Sequence, residues 1–269
     1  MLEQVTAVRF DRRMGSGKTW PCLLSCLKAD GEEVEVIAKF SVGPERQVGG
    51  LIAEAIAAML AADLDLPVPE PLLVEFDTEF VELIKLRDAD LANRASRSVP
   101  VAFGSSKLPP GFTSLPRDKG IPQTLRAQAA EIFAFDALIQ NPDRRISNPN
   151  LWAKSERIGV YDHEQAFSFL ALPIIGGSPG PWAAARHPEA FRFLEQHVFY
   201  ASLRGGRLDL GPFQQKLSSL TEERLRASLA AVPLEWLSKS DFHLRVFSYL
   251  MEARQQGEDM VHFLQHVLR

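Results

Sequence analysis

The stretch Asn141-Pro142-Asp143-Arg144-Arg145-Ile146-Ser147-Asn148-Pro149-Asn150-Leu151-Trp152 constrains this chain more than any other. It follows a long amphipathic run and precedes Ile158-Gly159-Val160-Tyr161-Asp162, a short apolar strand that ends in an acid. The pattern is Asp143, four residues, Asn148, and a second acid, Asp162, nineteen positions after the first. The plain reading is an Asx-rich turn between a helix and a hairpin. The spacing adds to it, because three ligand-type side chains fall on one loop and the strand after it.

Upstream, Val5 to Phe10, Trp20 to Lys28 and Val34 to Phe40 read as strands, the last two a hairpin through Asp30-Gly31. Met14-Gly15-Ser16-Gly17-Lys18-Thr19 lies between the first two. A Walker A loop would need glycine at position 12, which is Arg12, and would lead into a helix instead of a strand. A glycine-rich hairpin turn over phosphates and a plain flexible turn both remain. Lys39 ends the third strand. Gly49 to Asp63 is predicted helical, with Leu51, Ile52, Ala55, Ile56, Met59 and Leu60 as its apolar stripe. Glu54 stands at the margin of that stripe and is the only charge before Asp63. A lone carboxylate there is costly without a partner. Lys39 is the obvious partner, and a solvated Glu54 is the alternative.

Leu66-Pro67-Val68-Pro69-Glu70-Pro71 stops this helix and feeds a strand, Leu72 to Phe76. Residues 77–98 read as a polar, partly helical insertion, and Val99 to Phe103 as a strand with Pro100 at an edge or start. Gly104-Ser105-Ser106-Lys107 follows, and Pro109-Pro110-Gly111 marks an exit into the second half. Thr124 to Gln140 is predicted helical and delivers the Asn141 loop. Asp136, in its last turn, faces the negative end of the helix dipole. Pairing with Arg144 or Arg145 and a solvent-facing position both fit. Gly176 to Pro181 reads as a mobile loop. The remainder is predicted helical over Glu189–Ser202, Thr221–Ala231 and Lys239–Leu268, the last broken near Gly257. His197, His243, His262 and His266 have no zinc-triad spacing and read as surface or satisfied core residues.

With 269 residues, 46% of them hydrophobic and 24% charged, the chain suits one bilobal unit or two small domains. A net charge of −4 argues against a general nucleic-acid binder. Cys22 and Cys26 lack partners at metal-site spacing, so they read as small buried residues and fit a reduced, cytoplasmic setting. Neither a signal peptide nor a membrane-spanning run is expected.

The run Asn-x-Asp-Arg-x-x-x-Asn at 141–148, with its strand ending in Asp162, resembles the HipA-like serine/threonine kinases. It is similar, more distantly, to phosphatidylinositol 3/4-kinases. Ile37-Ala38-Lys39 and the proline-rich 66–71 segment carry the same resemblance. It implies an α+β, bilobal protein-kinase-like fold. Residues 1–104 would form an antiparallel-sheet N-lobe of five strands with one packed helix, and residues 105–269 a mostly helical C-lobe. It also implies ATP- and magnesium-dependent phosphoryl transfer to a protein Ser or Thr. Asp143 would be the base, Asn148 and Asp162 the metal ligands, and Lys39 the phosphate clamp held by Glu54. Gly15, Ser16, Gly17 and Lys18 would cover the phosphates, Gly104 and Ser105 would meet the adenine, and Ser16 is a candidate for autophosphorylation. Two departures stand out: no His-Arg precedes Asp143, and Asp162-His163-Glu164 replaces Asp-Phe-Gly. The alternatives are a small-molecule or lipid kinase and a nucleotide-binding pseudokinase serving as a regulatory partner module. The partners expected are a protein substrate or a small protein regulator, with neither nucleic acid nor membrane. No basic or amphipathic membrane cluster supports a lipid substrate.

Overall fold

In the first strand, β1 (Glu3–Arg13), buried Val5, Ala7 and Phe10 are separated by exposed neighbours, as in a strand with one face on a core. The computed structural model describes residues 2–15, 19–108, 110–114, 120–171, 179–206, 208–238 and 241–269. β2 (Cys22–Leu27) and β3 (Glu33–Lys39) pair antiparallel around the Asp30-Gly31 turn, where Gly31 takes a φ of 89°. β4 (Pro71–Glu75) and β5 (Val101–Ser106) complete a sheet of order β1-β2-β3-β5-β4.

That sheet is a closed barrel. β1 pairs with β4 in parallel, from Glu3 opposite Leu72 to Thr6 opposite Glu75. The expected five strands are present, but the expected purely antiparallel sheet is corrected. Closure pairs the backbone groups that two edge strands would otherwise leave open. Register shifts in β1 between Ala7 and Arg9, and between Phe10 and Arg12, supply local bending. Inside lie Val5, Phe10, Cys22, Leu24, Cys26, Val36, Leu72 and Val74. Both cysteines are unpaired and fully buried, as expected, and burial pushes the Cys26 thiol up to about 12.

The one-helix expectation for this half is also corrected. Residues 77–98 form two helices, α2 (Thr78–Lys85) and α3 (Ala89–Ser96), each capped by an aspartate. Asp77 accepts from the Phe80 amide and Asp88 from the Leu91 amide. Their apolar residues Phe80, Val81, Ile84, Leu91, Ala92 and Ala95 join the barrel core. Only one face of each helix is apolar, which is why the segment looks polar in sequence. The preceding helix, α1 (Val48–Asp63), is buried from Gly50 to Ala61, so Glu54 lies inside the protein and not at a margin.

α4 (Arg126–Leu138) follows a 3₁₀ turn at Gln123–Leu125 and is almost wholly buried. After it come the antiparallel hairpin β7 (Leu151–Lys154) and β8 (Arg157–Val160), joined by β6 (Thr113–Ser114). The expected helix at 189–202 is instead a 3₁₀ segment, Pro188–Gln196, and a short α5 (Tyr200–Leu203). Then follow α6 (Gly211–Ser219), α7 (Glu222–Ala230), α8 (Leu234–Leu237), α9 (Phe242–Gln255) and α10 (Gly257–Val267). The break between the last two falls at Gln256, beside the glycine expected to cause it.

A second apolar core joins α1, α4 and the C-terminal helices, through Phe133, Phe135, Phe213, Trp236 and Leu264. Trp236 donates from Nε1 to the Val101 carbonyl at 2.9 Å, tying α8 to the start of β5. β5 runs through Ser106, so a boundary between 104 and 105 would divide a strand. Among the described residues, no helix is long and apolar enough to cross a membrane.

Candidate active site

The alternation of β3 sends Val36 and Ala38 into the barrel and Lys39 to the opposite side, toward α1. There Lys39 Nζ lies 2.8 Å from Glu54 Oε2 and 2.7 Å from Asp162 Oδ1, with Glu164 Oε2 at 3.9 Å. The pairing read from sequence is thus present, with two further acids around the same ammonium. Glu54 Oε1 also accepts from the His163 amide at 2.9 Å, so one carboxylate fixes both the lysine and the segment after β8.

These contacts set the local charge. Burial alone would lower the Lys39 pKa, but Asp162, Glu54 and Glu164 reverse this and hold it above the ordinary value. Burial raises the Glu54 carboxyl against the pull of Lys39. Asp162 is held low, because Lys39 outweighs its burial. Glu164 is pushed up to about 7 by burial, with Asp162 and Glu54 adding repulsion against the pull of Lys39. Burial, then the Arg144 charge, bring the His163 imidazole down to about 3, so it is neutral.

The catalytic-loop candidates meet as well. Asn148 donates from Nδ2 to Asp143 Oδ2 at 2.7 Å, and the Asp143 amide donates to Asn141 Oδ1 at 3.2 Å. Burial, then the Asp162 charge, raise the Asp143 carboxyl. Arg145 approaches Asp143 Oδ1 only at 3.5 Å, from a half-exposed position.

The loop hangs on Arg144. Its Nε donates to Asp136 Oδ2 at 2.6 Å, and its NH1 reaches the Asn150 carbonyl at 2.6 Å and the Tyr161 carbonyl at 3.2 Å. This settles the Asp136 alternatives in favour of Arg144, with both side chains fully buried. His197 Nε2 adds a second contact to Asp136 Oδ2 at 3.0 Å, which makes His197 a satisfied core residue. One guanidinium therefore binds the end of α4, the start of β7 and the end of β8. Asn150 (φ 46°) and Asp162 (φ 58°) both hold the left-handed backbone region that Asn and Asp tolerate.

A cleft of about 550 Å³ opens beside these groups. Lys39, Glu54, Asn148, Asp162 and His163 line its polar side, and Ile37, Ala58, Val68, Phe103 and Leu151 its apolar side. Ser105, Ser106, Lys107 and Leu108 continue the wall. Gly104 is not among the lining residues, while Ser105 beside it is. A Cβ on Gly104 would sit 2.6 Å from both Val36 Cγ1 and Val74 Cγ2, so this residue faces the barrel core. Period-two alternation turns Ser105 toward the cleft. Met14 also lines the cleft, and Gly15 beside it is exposed. Ser16, Gly17 and Lys18 lie outside the described residues, as does Gly176 to Ser178 of the expected mobile loop. Glu164 and the barrel-facing role of Gly104 went unread in the sequence. The signal for Glu164 was an acid two residues past a strand-end aspartate.

The fold and cleft together define a protein-kinase-like class. The chain matches the crystal structure of a Helicobacter pylori proinflammatory kinase, CtkA, over 100% of both chains, with a TM-score of 0.54 at 12% identity. Weaker likenesses are an apo pseudokinase (TM-score 0.36, 12% identity, 99% of this chain and 97% of that one) and a Leishmania major MAP kinase (0.31, 11%, 96% and 82%). No curated protein matches. The chain belongs to the HipA-like kinase family, which it matches over residues 7–170.

Proposed function

We propose that this protein transfers the γ-phosphoryl group of ATP, with magnesium, to a Ser or Thr hydroxyl of another protein. The observation that carries the reading is one cleft lined by Lys39, Glu54, Asp162 and Asn148, with Asp143 held just behind its wall by the Asn148 amide. The two apolar cores support a two-lobed division, with the border after β5.

The donor set suits a hard cation. With its amide nitrogen given to Asp143, Asn148 keeps a carbonyl oxygen, and Asp162 keeps the oxygen not engaged by Lys39. Magnesium bound there would supply charge neutralisation at the phosphates. Lys39 adds a fixed positive charge, held in place by Glu54. Asp143 accepts the proton of the acceptor hydroxyl as its oxygen bonds the γ-phosphorus, while the bond from that phosphorus to the β–γ bridging oxygen breaks and ADP leaves. Arg144 orients the loop from beneath and touches no reactant.

Incubation with γ-labelled ATP, magnesium and host lysate tests this. Label on a protein, released as phosphoserine or phosphothreonine, is the expected result. Label only in lipid or small molecules would move the acceptor class. Nucleotide binding without any transfer would sink the enzyme reading in favour of a pseudokinase.

A further inference from the structure

A second cavity, of about 540 Å³, opens where α1 begins. Among the described residues, Arg46, Arg97 and Arg245 line it and no carboxylate does. They come from three separated parts of the chain: the segment before α1, the end of α3, and α9. Their existing contacts leave donors over. Arg97 uses Nε on the Asn93 carbonyl at 3.1 Å. Arg245 reaches the Leu170 carbonyl and Asp241 Oδ1, both at 2.8 Å. Arg46 gives only NH2, to the carbonyls of Glu164 and Ala166. Its Nε and NH1 are buried with no hydrogen-bond partner among the described residues.

Unpaired guanidinium nitrogens out of water are costly, and nothing in this wall balances them. Burial lowers the Arg46 pKa, and the acids that oppose this, Glu164, Glu54 and Glu45, are not among the lining residues. The rest of the wall is apolar or neutral, with Val48, Val99 and Phe242 among it, and the Phe242 ring lies 5.4 Å from the Arg46 guanidinium.

We propose that this pocket binds a phosphate group. Arg245 already meets one acid, Asp241, and the N–H groups left over on the three guanidiniums suit the several oxygens of a phosphate dianion. The cavity exceeds what a bare phosphate fills, so the group can be inorganic phosphate or one carried on an organic body that covers the apolar wall. The pocket is distinct from the proposed nucleotide cleft, since none of its lining residues is shared with it.

Isothermal calorimetry on the full chain tests this with inorganic phosphate and, separately, O-phosphoserine, against chloride at matched ionic strength and without nucleotide. Saturable binding is expected, weakened about tenfold or more in the Arg97→Ala/Arg245→Ala double variant. Arg97→Gln alone, at an exposed position, should weaken it in the same direction and covers the case of a poorly folded double variant. Arg192→Ala, at a surface arginine paired with Glu189, should bind like wild type. Tighter phosphoserine than phosphate assigns the carried form, and the reverse order assigns the free anion. Equal affinity in wild type and in folded Arg97 and Arg245 variants would overturn the site, as would heats that follow ionic strength without saturation.

Discussion

Arg144 Nε donates to Asp136 Oδ2 at 2.6 Å with both side chains removed from water, and this pair suspends the loop that carries Asp143. Removing one member of such a pair strands the other. Arg144→Met is expected to cost about 3–5 kcal/mol of stability. Urea unfolding of both proteins measures it; a loss well under 1 kcal/mol would mean the pair is incidental to the loop.

His197 shares Asp136, and its titration has a clear sign. Its Nδ1 accepts from the Phe199 amide at 3.1 Å, leaving the proton on Nε2 toward Asp136. Burial lowers its pKa below the ordinary 6.5, and the Asp136 contact only partly opposes this. Below 6.5 the unfolded chain therefore binds a proton that the folded one refuses. The stability from this group is full above that pH and falls as pH drops through it, by at most about 1.4 kcal/mol per pH unit. Tm measured between pH 5 and 8 should decline on the acid side in wild type and be flatter in His197→Gln. Identical profiles would show that His197 charges freely.

Asp143→Asn is expected to leave nucleotide binding nearly intact and to lower turnover by about 10²–10⁴-fold, the usual contribution of a positioned base. Calorimetry and a transfer assay together check it. Full activity in the variant removes Asp143 from the base role.

Asp162→Ala should abolish magnesium-dependent nucleotide binding, because the metal would lose its one carboxylate among the proposed ligands. Lys39 keeps Glu54 and Glu164, so the fold should persist. If ATP binds equally with this variant and with a chelator, Asp162 is only a strand-end acid.

Glu54→Gln separates stability from function. Three acids surround one ammonium, and the Glu54 carboxyl is raised, so its charged form is disfavoured in the folded state. The amide still offers its oxygen to the His163 N–H, while its NH2 turns toward Lys39, which keeps Asp162 and Glu164 as acceptors. Tm is expected to hold or rise while turnover falls about tenfold or more through a less constrained Lys39. A Tm several degrees lower would show that the ion pair holds the fold.

The amino-acid sequence alone determined the spacing of Asp143, Asn148 and Asp162, the strand that ends in Lys39, the Asp30-Gly31 hairpin and the break beside Gly257. These features are local. Period-two and period-3.6 patterns, turn residues and breakers act over a few positions and read the same in any context. Tertiary structure decided the rest. Whether β1 would meet β4 depended on partners nearly seventy residues apart, which no local pattern encodes. Glu54 looked marginal because the helices that bury α1 from the far side lie beyond residue 220. Arg144 and Arg145 are neighbours of one residue type, yet one is sealed against Asp136 and the other is half-exposed. Gly104 and Ser105 differ only in which side of β5 they face. The barrel's closure fixes that choice, because a side chain at 104 would collide with Val36 and Val74.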